Sequence, residues 1–161
     1  MDFATACSKH RVLLMEGALG ERLKRECGLA PDPAVALAAH VYSAPGERAL
    51  RALWGQYASA ARECGLPFVA TTPTRRVNRA RLAQSPYGEE IIPDNLRLLR
   101  RVQAEAGVEM YAGGLMGCLG DAYAAEGALG EAEALDFHRW AAERFARAGA
   151  DFLMAGIMPA L

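Results

Sequence analysis

Three segments share one pattern and decide the fold: ARECGLPFVAT at 61–71, AEAGVEMYAGG at 104–114 and ARAGADFLMAG at 146–156. In each segment a helical pattern runs into a glycine, and an apolar run follows that glycine. The glycines are Gly65, Gly107 and Gly149, spaced 42 residues apart both times. Each is expected to adopt the left-handed conformation that ends a helix before the chain turns into a strand.

The apolar runs after these glycines are nearly continuous, which is typical of parallel strands that are covered on both faces. The strands are expected at 66–71, 108–112 and 151–155, and an earlier apolar run at 12–15 gives a fourth. Amphipathic helical patterns precede the three glycines, and Asp94 is the expected N-cap of the helix that ends at Gly107. This alternation predicts a parallel α/β sheet with right-handed crossovers, its strands in chain order and its helices on one side.

The loops distinguish between a doubly wound sheet and a (β/α) barrel. Each strand is followed by a long segment rich in glycine, threonine or proline: 17–21, 72–81, 113–123 and 156–161. Long loops at the carboxyl ends of strands, with tight turns at the other ends, favour a barrel of TIM type. A closed barrel has eight strands and four are counted, so we expect roughly the first four β/α units, a half-barrel. We expect one domain over 1–161, with no second domain.

Composition limits the partners. The chain has 161 residues, 52% of them hydrophobic, and 18 basic against 19 acidic residues give a net charge of -1. Nothing in this balance favours nucleic acid or an anionic membrane surface, so a small-molecule partner is expected. Because no long apolar run or secretory signal is present, we expect a cytoplasmic protein.

The four cysteines have no CxxC spacing, so neither a disulfide framework nor a zinc cluster is expected from them. Cys27 and Cys64 are interpreted as small buried apolar residues. The only local basic cluster consists of Arg75, Arg76, Arg79 and Arg81. Such guanidinium groups can hold a carboxylate or a phosphate, although a solvated helix face is the favoured interpretation.

Four motifs, taken together, resemble the homocysteine S-methyltransferase family. They are VLLMEGALGERL at 12–23, VATTPTRRVN at 69–78, YAGGLMGCLGDAY at 111–123 and AGADFLMAGIMPAL at 148–161. The first is similar to the family's Asp-Gly-Gly/Ala-Met/Leu-Gly-Thr turn, and the second to its threonine-rich second-strand loop. The third is similar to its Gly-rich third-strand loop, and the fourth to its Thr-Ile/Met-Pro-x-Leu element. The resemblance spans essentially the whole chain, which would be the N-terminal half of the family's (β/α)8 barrel.

The resemblance implies transfer of a methyl group from a small donor, such as a methylsulfonium or a betaine, to the thiol of homocysteine or a related thiol. It also implies zinc, which lowers the pKa of the thiol, but the family's zinc cysteines come from later strands and its zinc ligands are not in this chain. The implied partners are a thiol substrate and a methyl donor, with neither nucleic acid nor membrane. Catalytic residues stay unassigned, and the expected substrate-binding residues are Glu16, Gly17, Thr72, Thr74, Asp121 and Tyr123, with Glu16 as polar anchor.

The chain departs from the family pattern at three positions. Glu16 replaces the aspartate of the turn, Glu21 replaces its threonine, and Gly156 stands where the family has the glutamate that holds the homocysteine amino group. Two alternatives therefore stay open: a non-catalytic half-barrel that pairs with itself or another chain, and a divergent barrel enzyme with another electrophile. Since apolar parallel strands need cover, self-association through the open half-barrel is expected.

Overall fold

The computed structural model describes residues 1–120, 123 and 128–158. The helices are α1 (Phe3–Lys9), α2 (Leu19–Cys27), α3 (Ala44–Glu63), α4 (Arg79–Leu82), α5 (Ile91–Glu105) and α6 (Glu131–Ala148). The strands are β1 (Leu14–Met15), β2 (Phe68–Thr71), β3 (Met110–Met116) and β4 (Phe152–Ala155), and a 3-10 helix spans Leu37–Tyr42. None of the helices within the described residues is long and apolar enough to cross a membrane.

The four strands form one parallel sheet in the order β1-β2-β3-β4. Val69 of β2 lies between Met15 of β1 and Tyr111 of β3, and Gly113 of β3 pairs with Phe152 of β4. Strands that are neighbours in the chain are neighbours in the sheet, whereas the strand order of a doubly wound sheet reverses at a switch point. The predicted α/β class is confirmed, and the four strands form a half-barrel consistent with part of a TIM barrel.

The face of the sheet that packs against α3 and α5, here called the outer face, carries the main core. Phe68 and Ala70 of β2 and Met110 and Ala112 of β3 lie in this core. The helices contribute large buried side chains to it, among them Leu50, Leu53, Trp54, Leu96, Leu99 and Val102. Each large side chain buried in this way stabilises the fold by about 1.5 to 3 kcal/mol, so this layer holds the sheet in place.

Helix α1 lies on the opposite, inner face, which the sequence pattern did not predict. Asp2 caps it by accepting a hydrogen bond from the backbone N–H of Thr5 at 2.8 Å. The Phe3 ring stacks on Phe152 with 4.3 Å between ring centroids and meets Tyr111 edge-on at 5.5 Å. The expectation that all helices cover one side is therefore wrong for α1. At 7 residues this helix is too short to show a clear amphipathic period.

The three repeated glycines end their helices as predicted. Gly65, Gly107 and Gly149 have φ values of 63°, 62° and 81°, all left-handed. At two of these turns the next residue closes the helix with a backbone bond: Leu66 donates to Ala61 and Ala150 to Phe145. This 6→1 bond is the signature of a Schellman turn, in which glycine avoids the steric cost of a side chain.

The third strand extends farther than predicted. The expected strand ended at residue 112, yet β3 runs to Met116, so Gly113 and Gly114 are strand residues. A Cβ on Gly113 would lie 2.3 Å from the Phe152 ring, and one on Gly114 would lie 2.5 Å from the Phe145 ring. Glycine is therefore required where aromatic rings approach the strand backbone from both faces.

Two smaller expectations are also wrong. Helix α5 begins after Glu90, so Asp94 lies in its first turn, where it accepts a hydrogen bond from the Tyr42 hydroxyl at 2.8 Å. Cys27 and Cys64 are exposed rather than buried. Cys27 is the last residue of α2 and Cys64 is the C-cap of α3, positions that lie beyond the packed stripe of each helix.

Candidate functional site

A cleft of about 650 Å³ opens at the carboxyl ends of the strands. The strand ends and the segments that follow them line it with Met15, Glu16, Thr71, Thr72, Leu115, Met154 and Ile157. The start of α2, the turn before the 3-10 helix and the segment after β2 supply the other walls, with residues that include Glu21, Ala36, Leu37, Arg75 and Arg76. Barrel folds build their sites at this edge, and the volume suits a small molecule.

Glu16 occupies the floor of this cleft, directly after β1. Its Oε1 accepts two hydrogen bonds from Thr71, one from the backbone N–H at 2.7 Å and one from the hydroxyl at 2.9 Å. Its Oε2 is buried and has no hydrogen-bond partner among the described residues. A buried carboxylate oxygen without a partner is costly, and a hydrogen-bond donor from a ligand or a water would remove that cost.

The protonation of Glu16 is set by its surroundings. Burial raises the pKa of Glu16 from 4.5 to about 7, while the hydrogen bonds from Thr71 oppose that rise. Both forms of the carboxyl are therefore populated near neutral pH. A cationic ligand group would favour the charged form, and a carboxyl tuned in this way is typical of functional clefts.

Thr72 and Thr74 are almost fully buried and bind each other. Their hydroxyl oxygens lie 2.8 Å apart, and the Thr74 hydroxyl donates to the carbonyl of Leu115 at 2.8 Å. The backbone N–H of Leu115 donates to the Thr72 hydroxyl at 3.3 Å. Thr72 lines the cleft and Thr74 faces a small adjoining pocket, so this network joins the ends of β2 and β3 under the cleft wall.

The other predicted site residues occupy different positions. The Gly17 carbonyl accepts a hydrogen bond from the Tyr57 hydroxyl, beside the cleft but outside its lining. Tyr123 lines the cleft with its side chain 85% exposed. Asp121 lies outside the described residues. The structure thus brings Glu16, Thr72 and Tyr123 to one cleft.

Arg75 and Arg76 line the cleft, whereas the sequence interpretation favoured a solvated helix face for the basic cluster. The position of the cluster directly after the second strand was the available signal, because that strand's carboxyl end opens into the site. Ala36 and Leu37 carried no signal in the sequence. They reach the cleft through a tight turn in which Asp32 and Ala36 exchange two backbone hydrogen bonds.

Backbone strain is concentrated around the cleft. Among the described residues, the non-glycine residues with left-handed φ are Ala18 at 51°, Ala36 at 52° and Ile157 at 57°. All three line the cleft. Such conformations are costly for residues with a side chain and tend to cluster at binding sites, so this pattern supports a functional role for the cleft.

Zinc, which the family uses, has no matching site in the described part of the chain. A zinc site needs three or four convergent ligands. No group of three Cys, His, Asp or Glu side chains that could hold a metal ion occurs among residues 1–120, 123 and 128–158. Cys7, Cys27 and Cys64 are exposed on separate elements, and the Cys118 thiol contacts the carbonyl of Gly120. These residues do not fit the metal.

Comparison with protein-family models identifies the homocysteine S-methyltransferase model over residues 13–161. The comparisons with curated proteins and with solved structures found no match. The matched range contains all four strands of the sheet and the cleft at their carboxyl ends, and it begins after α1. Apart from Val12, the four motifs that carry the resemblance fall within this range, which covers most of the chain, and the chain therefore belongs to the homocysteine S-methyltransferase family.

Proposed function

We propose that the cleft binds an amino-acid thiol of the homocysteine type through its ammonium group, and that the chain serves methyl transfer to the sulfur of that thiol. The observation that carries this proposal is the Glu16 carboxyl, which has one oxygen bound by Thr71 and the other buried without a partner at the cleft floor. Family membership supplies the reaction class.

The two carboxyl oxygens of Glu16 have different roles in this proposal. Thr71 holds Oε1 with two donors, which sets the orientation of the carboxyl group. Oε2 can then accept an N–H from a ligand ammonium, and a charge-assisted bond of this kind contributes about 1.5 to 3 kcal/mol. Ammonium binding favours the ionised carboxyl, so a ligand that binds below pH 7 releases the proton that Glu16 holds there.

The rest of the cleft suits the thiol chain. Apolar side chains of Met15, Leu37, Leu115 and Met154 line it and can exclude water from the methylene groups and the sulfur. Thr72 and Tyr123 are the other predicted substrate contacts that line it, and Gly17, Thr74 and Asp121 stay predictions as well. Within the described residues, the chain's contribution to methyl transfer is to bind and orient the thiol and exclude water around it.

Calorimetric titration tests the proposal with homocysteine and with 4-mercaptobutanoate, which lacks only the amino group. Glu16→Gln keeps the shape of the side chain but removes its charge, so homocysteine should bind about 10- to 100-fold more weakly. Binding of 4-mercaptobutanoate should not weaken. In the unaltered protein the affinity for homocysteine should rise as pH rises through about 7, and this rise should vanish in Glu16→Gln.

Glu21→Gln is the matched control. Glu21 also lines the cleft, but it is an exposed carboxylate that already pairs with Arg25 at 3.0 Å. Its replacement should change the affinity for homocysteine by less than about threefold, as expected for an exposed ion pair. Equal binding of homocysteine to the unaltered protein and to Glu16→Gln, with both proteins folded by their thermal melts, would contradict the proposal.

A second candidate function is a non-catalytic half-barrel that pairs with another copy or another chain. The observation that favours it is the edge strand β4, where Leu153 and Met154 are 41% and 37% exposed. Mass-spectrometric detection of methionine separates the two functions, with homocysteine and either S-methylmethionine or glycine betaine as donor. Methionine formation above the protein-free rate supports the enzyme. Absence of turnover together with absence of homocysteine binding supports the interaction protein.

A further inference from the structure

Two arginines of the cleft wall have no hydrogen bond or ion pair with the described residues. They are Arg75 and Arg76, in the segment between β2 and α4, and both are partly buried. The other two members of the basic cluster are engaged elsewhere. Arg79 pairs with Asp136 at 3.0 Å, and Arg81 donates to the carbonyl of Ala34 at 3.1 Å.

The segment that carries Arg75 and Arg76 is held at both ends. Before it, the Thr74 hydroxyl is bound to the carbonyl of Leu115 at the end of β3. After it, the Asn78 side chain caps α4 by accepting the backbone N–H of Arg81 at 3.0 Å. A Cβ on Gly117 would lie 2.3 Å from the Arg75 carbonyl oxygen and 2.6 Å from its Cγ, so glycine lets the residue after β3 pack closely against this arginine.

Among the described residues, the charges around this wall are not balanced. Burial, and then the charge of Arg76, lower the pKa of Arg81. Of the acidic residues that line the cleft, Glu21 is paired with Arg25 and Glu16 is partly protonated near neutral pH. Partly buried like charges without a counter-charge are unfavourable, and an anionic ligand group would remove that cost.

We propose that Arg75 and Arg76 form a carboxylate-binding subsite of the cleft, so that the cleft selects ligands that carry a carboxylate. The proposal extends the proposed function, in which Glu16 takes the ammonium group. The planar fork of a guanidinium matches the two oxygens of a carboxylate, and a pair of arginines can hold it in one orientation. The carboxylate can belong to the thiol substrate or to a methyl donor such as a betaine.

Titration of the variant Arg75→Gln/Arg76→Gln tests the subsite with ligand pairs that differ only by a carboxylate or nearly so. For the thiol these are homocysteine and 3-aminopropanethiol, and for the donor they are glycine betaine and choline. The variant should bind the carboxylate-bearing ligand of one pair about 10- to 100-fold more weakly and its partner unchanged. A loss confined to homocysteine assigns the subsite to the thiol, and a loss confined to glycine betaine assigns it to the donor.

Arg79→Gln is the matched control, because it removes a charge of the same cluster whose guanidinium pairs with Asp136 outside the cleft. It should leave every affinity unchanged. The inference is overturned if the double variant binds the carboxylate-bearing ligands as tightly as the unaltered protein does, or if Arg79→Gln weakens them equally. Failure of the proposed function is distinguishable, since 4-mercaptobutanoate has no ammonium. If 4-mercaptobutanoate binds to the unaltered protein and not to the double variant, the carboxylate subsite is supported even if Glu16 does not contribute to binding.

Discussion

At the scale of single residues, the position of Glu16 at the end of a strand gives its carboxyl group an unusual pKa. The carboxyl lies just beyond the last paired residues of β1 and β2, and it accepts the backbone N–H of Thr71 that the sheet leaves over. Burial of this side chain raises the pKa of Glu16 to about 7, although the hydrogen bonds from Thr71 act in the opposite direction. The resemblance indicated a polar anchor at this residue, but its burial and its contact with Thr71, 55 residues away in the chain, belong to the tertiary structure.

A change in pH should reveal this carboxyl in the stability of the protein. The pKa of Glu16 is about 7 in the folded chain against an ordinary 4.5, so between these values unfolding releases a proton. The stabilising contribution is complete below pH 4.5 and is lost as pH rises through about 7, with a slope of at most about 1.4 kcal/mol per pH unit. Glu16→Gln should remove that slope. Urea denaturation at pH 5, 6, 7 and 8 measures it.

Glu21→Gln serves as the reference in this series, since Glu21 is exposed in its ion pair with Arg25. It should keep the pH profile of the unaltered protein. If Glu16→Gln also kept that profile, the carboxyl would titrate normally in the folded chain and the account of its burial would be wrong.

Glycines show what sequence patterns can and cannot predict at this scale. Gly65, Gly107 and Gly149 follow helical patterns, and their left-handed turns are local properties that the sequence predicts correctly. The interpretation of 113–123 as a loop after the strand missed the packing of its first glycines. Gly113 and Gly117 make room for Phe152 and Arg75, contacts that depend on the assembled sheet. Arg75 was likewise recognised as part of a basic cluster, but its position in the cleft depends on the tertiary structure.

At the scale of secondary-structure elements, the order of strands and helices is predictable because the same helix–glycine–strand pattern occurs three times and each glycine marks the end of a helix. The strand ends are less so: β3 extends through Gly114 because aromatic rings from β4 and α6 cover the glycines on both sides. Helix α1 leaves no clear pattern, since its apolar contacts come from the buried Ala6 and from Phe3, and the aromatic partners of Phe3 lie more than 100 positions away.

Gly113→Ala should disturb β3, β4 and α1 together. The added Cβ would lie 2.3 Å from the Phe152 ring, and that ring is the stacking partner of Phe3. Overpacking of this kind costs about 1 to 3 kcal/mol, so the midpoint of urea unfolding should fall. Near-ultraviolet circular dichroism should change as well, because the aromatic contacts are displaced.

Gly55→Ala provides the contrast. Gly55 lies in the middle of α3, and an added Cβ would meet no heavy atom within 4 Å. Alanine should therefore raise stability by about 0.5 to 1 kcal/mol through better helix propensity. Equal effects of the two substitutions would show that the Phe152 ring yields without cost and that the close contact does not constrain the sheet.

At the scale of the whole molecule, the sheet has two edges that no described strand covers. Strand β1 pairs only with β2 and β4 only with β3, and Leu153 of β4 is 41% exposed. Open edges with apolar side chains favour association, so we expect the chain to form dimers or larger species at micromolar concentration. Sedimentation velocity over a tenfold range of concentration measures it, and Leu153→Lys should shift the distribution toward monomer.

Leu135→Lys controls for a general gain in solubility. Leu135 is 57% exposed, but it lies on α6 rather than on the sheet edge, and its replacement should not alter the distribution. A compact monomer with one sharp thermal transition at every concentration would mean that the chain satisfies its own edges, and the half-barrel would then stand alone in solution.

Helix α1 lies outside the family match but packs on the sheet that the match contains. The family match begins at residue 13, yet the aromatic cover of Tyr111 and Phe152 comes from Phe3, upstream of that boundary. A polypeptide limited to the family match would keep the four strands and the cleft but would lack α1, which covers part of the inner face of the sheet. The segment that matches the family is thus shorter than the segment that packs on this sheet.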